Sequence, residues 1–129
     1  ESKESCEVYT SDLKVIISEP PKITYYPDVV VVCEEETETH STSKPCFVVE
    51  VLSESTKRID LTEKKTNYQR IESLKAYMIV HQDQKLVEMH RRQGDGTWQL
   101  EQYTDGNIEI PCPNTTLTLE QIYEGIGGE

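Results

Sequence analysis

The sequence predicts an α+β fold: a mixed sheet crossed by one main helix, with a short second helix at the C-terminus. Three observations carry this. Apolar, β-branched runs recur at YYPDVVVVC (25–33), PCFVVEVL (45–52) and AYMIV (76–80), each short enough for a strand. One stretch, about Asp60 to Glu72, has helical spacing and a start signal. The remaining strands alternate in polarity and are separated by turn residues, as antiparallel strands wet on one face do.

Taken in order, Asp12 to Ser18 reads as a strand with Leu13, Val15 and Ile17 on one side, and Glu19-Pro-Pro-Lys22 breaks it. Tyr25 to Cys33 follows, its four consecutive valines asking for burial on both faces. Pro27 marks its start, a bulge or an edge, because it cannot donate to a ladder. Asp28 stands at the mouth of the run, where the plain reading is a turn or capping carboxylate. Glu34 to Ser43, with four glutamates and His40, reads as a solvated loop.

Cys46 to Leu52 is the central strand. Period-2 alternation sets Cys46, Val48, Glu50 and Leu52 on one face, and Phe47, Val49 and Val51 on the other. Glu50 is the anomaly, because an ionised carboxylate among valines is costly unless it is paired or holds a metal. The plain alternative is a wet strand end or a bridge to an arginine.

The helix should start at Asp60, with Glu63 completing a capping box. Leu61, Tyr68 and Ile71 supply part of an apolar stripe, while Asp60, Lys64 and Tyr68 share a face at i, i+4 and i+8. Lys64 opposes the helix dipole, so helix propensity does not explain it. A surface pair with Asp60 would. Then come the strand 76–80, the hairpin strand Lys85 to Arg92, and Trp98 to Tyr103. His90 alternates outward, and Arg91 and Arg92 read as hairpin solubility charges. The final helix, TLEQIYEGI, has Thr118 as cap for Gln121 and stops at Gly127-Gly128.

Composition narrows the function. At 129 residues the chain is expected to be one domain. It has no apolar run of roughly 18 residues, so no membrane span is expected. Its 13 basic and 24 acidic residues give a net charge of −11, which argues against a passive nucleic-acid-binding module. It is less hostile to an enzyme whose carboxylates hold a divalent cation, since the ion changes the local sign. None of the four cysteines (Cys6, Cys33, Cys46, Cys112) stands at zinc-ligand spacing. Cys33 and Cys46 read as reduced core residues, and the expected compartment is the cytoplasm. The sequon at Asn114 means little without a secretory signal. The start of the chain, without Met or an apolar segment, reads as neither signal peptide nor initiator, so an N-terminal part is expected to be missing.

Asp28, Glu50 and Lys64 stand out together. Two carboxylates and a backbone carbonyl, such as that of Val51, form a hard-oxygen site for Mg²⁺ or Mn²⁺. Such an ion polarises a phosphoryl oxygen, and a lysine beside it holds or deprotonates water. That is the chemistry of phosphodiester hydrolysis.

Pro27-Asp28, then Glu50-Val51-Leu52-Ser53, then Asp60 with Glu63-Lys64 and Tyr68, resemble a bacterial family described as "putative restriction endonuclease". It is the Uma-type family of unknown function in the PD-(D/E)XK nuclease superfamily. The resemblance runs from about Cys6 to Arg91. It implies a restriction-endonuclease-like fold, with Asp28 and Glu50 as metal ligands and DNA as substrate. Leu52 stands where the superfamily's linear motif has its lysine; the family resembled carries that lysine on the following helix, which matches Lys64. His81 stands where the family tends to have aspartate. The resemblance also implies a homodimer, and a helical and hairpin segment ahead of this chain's first block. Asp12 is a weaker acidic candidate, and Tyr68 and Gln69 are expected to orient the site from the helix. The alternative is a non-catalytic nuclease-fold binding or interaction domain, which the acidic surface favours.

Overall fold

The computed structural model describes residues 6–10, 13–34, 40–52 and 59–125, with the side chains of 59–61 left aside. Its elements are β1 (Glu7–Thr10), β2 (Lys14–Ile17), β3 (Ile23–Tyr25), β4 (Val29–Val32), β5 (Ser41–Thr42), β6 (Phe47–Leu52), α1 (Ile59–Tyr68), β7 (Ala76–His81), β8 (Leu86–Arg92), β9 (Trp98–Tyr103), β10 (Asn107–Ile110), β11 (Thr115–Thr118) and α2 (Leu119–Gly125). The expected α+β class is the one observed.

The main sheet has the order β1-β4-β6-β7-β8-β9. Among its described strands only β6 and β7 pair in parallel, with Glu50 opposite Ile79. A parallel pair needs a crossover, and α1 provides it. β6 is sandwiched between neighbours and buried on both faces, which is why its sequence is almost continuously apolar. The two faces have separate cores. Val30, Val48, Leu52, Tyr77 and Ile79 pack with Tyr68 of α1 and with Leu13, Val15 and Ile17 of the small sheet β3-β2-β5. Val31, Phe47, Val49, Met78 and Val87 pack with Ile108 and Ile110 of the β10–β11 hairpin and with Leu119 and Ile122 of α2. The result is three layers, with the acid-bearing strand in the middle one.

Several expectations change. The Tyr25–Cys33 run divides at Pro27-Asp28 into β3 and β4, which lie in different sheets. β5 pairs in parallel with β2 inside what read as a loop. β1, β10 and β11 were not anticipated. α1 begins at Ile59, so Asp60 lies inside it, and it ends at Tyr68 rather than Glu72. The Asp60 side chain, and with it the capping box, lies outside the described residues, as do Asp12, Ser53, Gly127 and Gly128. No helix among the described residues is long and apolar enough to cross a membrane.

The cysteines are not reduced. Cys6 is bonded to Cys33, and Cys46 to Cys112. The β1–β4 register, with Glu7 opposite Val32, continues to put Cys6 opposite Cys33. Burial of Cys46 was foreseeable, but the convergence of distant strand ends was not.

His90 faces inward instead of outward. It is 6% exposed and stacks on its cross-strand partner Tyr77 at 4.5 Å and 9°. Burial lowers its pKa, with Glu88 opposing and Lys65 reinforcing the shift. A histidine kept neutral by the fold stabilises it above the unfolded-state pKa. That contribution is lost as pH falls through the folded value, because the unfolded chain then binds more protons. His90→Phe should therefore lose less stability than the parent between about pH 7.5 and about pH 5. Urea melts at the two pH values check this; equal losses would place the acid sensitivity elsewhere.

Arg91 and Arg92 are structural, not solubility charges. Arg91 Nε binds Glu101 at 2.8 Å. Arg92 covers the Trp98 ring at 4.7 Å and donates to the carbonyls of Leu74 and Ile71. At the C-terminus the expected cap forms. The Gln121 N–H donates to Thr118 Oγ1 at 3.0 Å, and the Thr118 N–H to Gln121 Oε1 at 2.8 Å. Thr118→Ala should cost about 1 kcal/mol in denaturant melts.

Candidate active site

β6 extends beyond the start of β4, since Val29 pairs with Val49 and nothing in β4 lies opposite Val51. Asp28, just ahead of β4, fills that place. Its N–H donates to the Val49 carbonyl at 3.0 Å, and its Oδ2 accepts from the Val51 N–H at 2.7 Å. The plain reading of Asp28 as a capping carboxylate is thus realised on a neighbouring strand. The same two bonds bracket Glu50, so the two acids come together at one end of the sheet.

Glu50 is 7% exposed. α1 supplies both of its partners. Lys64 Nζ donates to Oε1 at 3.1 Å, and the Tyr68 hydroxyl to Oε2 at 2.6 Å. One helical turn separates the two, so a single face of α1 grips both carboxylate oxygens. Burial still raises the Glu50 pKa above its ordinary value. The Tyr68 bond and Lys64 pull it down, and the Asp28 charge adds to the rise. Burial also pushes the Tyr68 hydroxyl well up, followed by the charge of Glu50, so Tyr68 stays a donor.

A hard divalent ion is the group whose charge and oxygen preference fit this donor set. The structure brings Asp28, Glu50 and Lys64 to one end of the sheet, and the Tyr68 hydroxyl donates to Glu50. Gln69 stands just past the helix end, its N–H donating to the Lys65 carbonyl. His40 lies on the exposed loop, and its carbonyl accepts from the Lys14 N–H.

Two residues beside the site went unread. The Tyr25 ring lies 5.3 Å from Lys64 Nζ and 5.1 Å from the Tyr68 ring. Asn67 Nδ2 donates to the Tyr25 hydroxyl at 3.0 Å, and that hydroxyl reaches Glu63 at 3.3 Å. Helical spacing would have found Glu63 and Asn67, which are i and i+4 on the face next to Lys64 and Tyr68. Tyr25 carries no such signal, because Pro27 parts it from the strand it seemed to open.

Comparison with known proteins bears on the family and the fold. The chain is 31% identical over 124 residues to "Uncharacterized protein slr1290" of Synechocystis, covering 94% of this chain and 65% of the relative. It is 32% identical over 108 residues to "Uncharacterized protein sll1609" of the same organism, covering 81% and 60%. The chain thus spans under two thirds of the length of either relative. In three dimensions it resembles a crystal structure described as "a putative nuclease belonging to DUF820" from Anabaena variabilis. The TM-score is 0.70 at 14% identity, with 94% of this chain and 69% of the other covered, and this likeness shows the fold. Residues 1–121 match the Uma2 family model, described as "Putative restriction endonuclease", and the chain belongs to that family.

Proposed function

We propose that this chain is a metal-dependent endonuclease domain that hydrolyses DNA phosphodiester bonds. The observation that supports it most is the pair of Asp28 hydrogen bonds to Val49 and Val51, which set a second carboxylate beside the buried Glu50. Asp28 and Glu50, with the Val51 carbonyl, would hold Mg²⁺ or Mn²⁺ by hard oxygens. The bound ion supplies Lewis-acid activation of the phosphoryl oxygen and of water. Tyr68 fixes the Glu50 carboxylate through Oε2. Lys64, 28% exposed, is reachable from solvent; it orients the attacking water and offsets charge growing on the phosphoryl oxygens. In this reading the 129 residues act as one domain, in the cytoplasm and as a homodimer.

The test is cleavage of supercoiled plasmid DNA with Mg²⁺ or Mn²⁺, comparing the parent with Glu50→Gln. Cleavage by the parent that the variant loses is the expected result. A net charge of −11 favours the second reading, a non-catalytic interaction domain. Absence of cleavage by the parent with either ion, or equal cleavage by both proteins, would support that reading instead.

A further inference from the structure

All four cysteines lie at the end of the main sheet opposite the acids. Cys46 precedes Glu50 on β6 by four residues, about 13 Å at ~3.3 Å per residue. Cys6, Cys33 and Cys46 come from the ends of three adjacent strands, β1, β4 and β6. Cys112 comes from the turn of the β10–β11 hairpin. The Sγ atoms of Cys33, Cys46 and Cys112 all lie within 4.8 Å of one another, although they belong to two different disulfides. The fourth sulfur, that of Cys6, is bonded to Cys33. Two separate disulfides have no need to share a site, yet here three of their four sulfurs form one cluster, with the fourth bonded to one of the three.

We propose that the same four cysteines, when reduced, form a tetrathiolate site for one Zn²⁺. A Zn–S bond of about 2.3 Å gives a tetrahedron whose sulfurs are about 3.8 Å apart. The Cys33 sulfur, within 4.8 Å of the other two, closes by about 1 Å or less, while the Cys46 and Cys112 sulfurs, bonded to each other when oxidised, part to the same spacing on reduction. An all-sulfur donor set selects a soft or borderline metal over Mg²⁺ or Ca²⁺. A zinc tetrathiolate carries two net negative charges, and Lys44 and Lys75 line the same cleft, of about 530 Å³, to offset them.

The two forms interconvert in a balanced way. A dithiol gives each disulfide two electrons and two protons, leaves as its own disulfide, and yields four thiols in all. Zn²⁺ then displaces four thiol protons to solvent. Either form fastens the hairpin and α2 layer to the sheet, by covalent bonds when oxidised and by metal bonds when reduced. The site uses none of the residues proposed for phosphodiester hydrolysis, so either proposal can fail alone.

Co²⁺ is the probe. The full chain in a Glu50→Gln background, which removes one proposed ligand of the other site, is reduced with a phosphine and titrated with Co²⁺ under argon. Binding of one ion per chain is expected, with sulfur-to-cobalt charge-transfer bands and the strong visible bands of tetrahedral coordination. Equimolar Zn²⁺ should abolish both sets. Cys112→Ser should weaken binding at least tenfold. Because that variant could fail to fold, zinc content is also measured on the reduced chain with native cysteines. One equivalent should survive gel filtration and be released by a mercurial thiol reagent. No uptake by the reduced chain, folded or unfolded, overturns the proposal. So does a weak octahedral spectrum that Cys112→Ser leaves unchanged.

Discussion

Glu50→Gln is expected to stabilise the metal-free protein while abolishing metal-dependent DNA cleavage. Gln keeps the shape of Glu and its amide oxygen can still accept from the Tyr68 hydroxyl, so the charge and the Lys64 bond are what is lost. That charge is unfavourable where it lies: burial outweighs Lys64 and Tyr68 and raises the Glu50 pKa. An acid raised in the folded state contributes stability that is full below its unfolded value, near 4.5, and is lost as pH rises through the folded value. Gln never titrates, so it does not suffer that loss. The variant should lead by about 0.5–2 kcal/mol near neutral pH, the usual scale for relieving a strained active site. The lead should shrink toward zero as pH falls to about 4.5. Millimolar Mn²⁺ should reverse the order. Ligand at ~100 times its dissociation constant adds ~2.7 kcal/mol to the parent, whereas the variant lacks the ligand. Cleavage should fall by roughly 10³-fold or more, as when one member of a catalytic unit is removed. Thermal unfolding at three pH values, with and without Mn²⁺, reads all of this. A variant less stable than the parent at neutral pH without metal would show that the Lys64 pair outweighs burial.

Tyr68→Ala should have the largest effect on stability. Tyr68 is fully buried, with the rings of Tyr25 at 5.1 Å and Tyr77 at 5.5 Å, and among the described side chains of α1 it is the apolar one that enters the sheet core. Truncating a buried aromatic side chain costs ~3–5 kcal/mol, a large share of the ~5–15 kcal/mol a domain has. The loss also leaves Oε2 of Glu50 without its donor. Tyr68→Phe separates the two contributions. It keeps the ring and removes the hydroxyl, at about 1–3 kcal/mol for the unsatisfied carboxylate oxygen. Urea midpoints at unchanged m-value measure both. Equal costs for the two variants would mean that the hydroxyl, not the ring, anchors the helix.

The parts of this fold legible in the sequence are those where one element is buried on both faces. β4, β6 and β7 are nearly unbroken apolar runs, and the buried acid within them, Glu50, pointed to the candidate site. Lys64 was legible because a cation early in a helix runs against the dipole. What stayed hidden depends on non-local pairing. β5 is two residues long and exists only as a partner for β2. β1 has no apolar period, and its partners in β4 are 19 to 25 residues away. The β10–β11 hairpin carried a readable signal in the alternation of Ile108 and Ile110, which the turn residues around it obscured. The disulfides span 27 and 66 residues, and only the sheet order brings their ends together.

The parallel junction of β6 and β7 has a kinetic consequence. β7, β8 and β9 close through short turns, so their ladders are local and cheap in chain entropy. The β6–β7 ladder closes only after residues 53–75 have been gathered into a crossover. The strand bearing Glu50 therefore finds its neighbour after the meander beside it exists, and Lys64 and Tyr68 arrive with the crossover itself. Assembly of the acidic site is therefore expected late in folding, after the meander beside it.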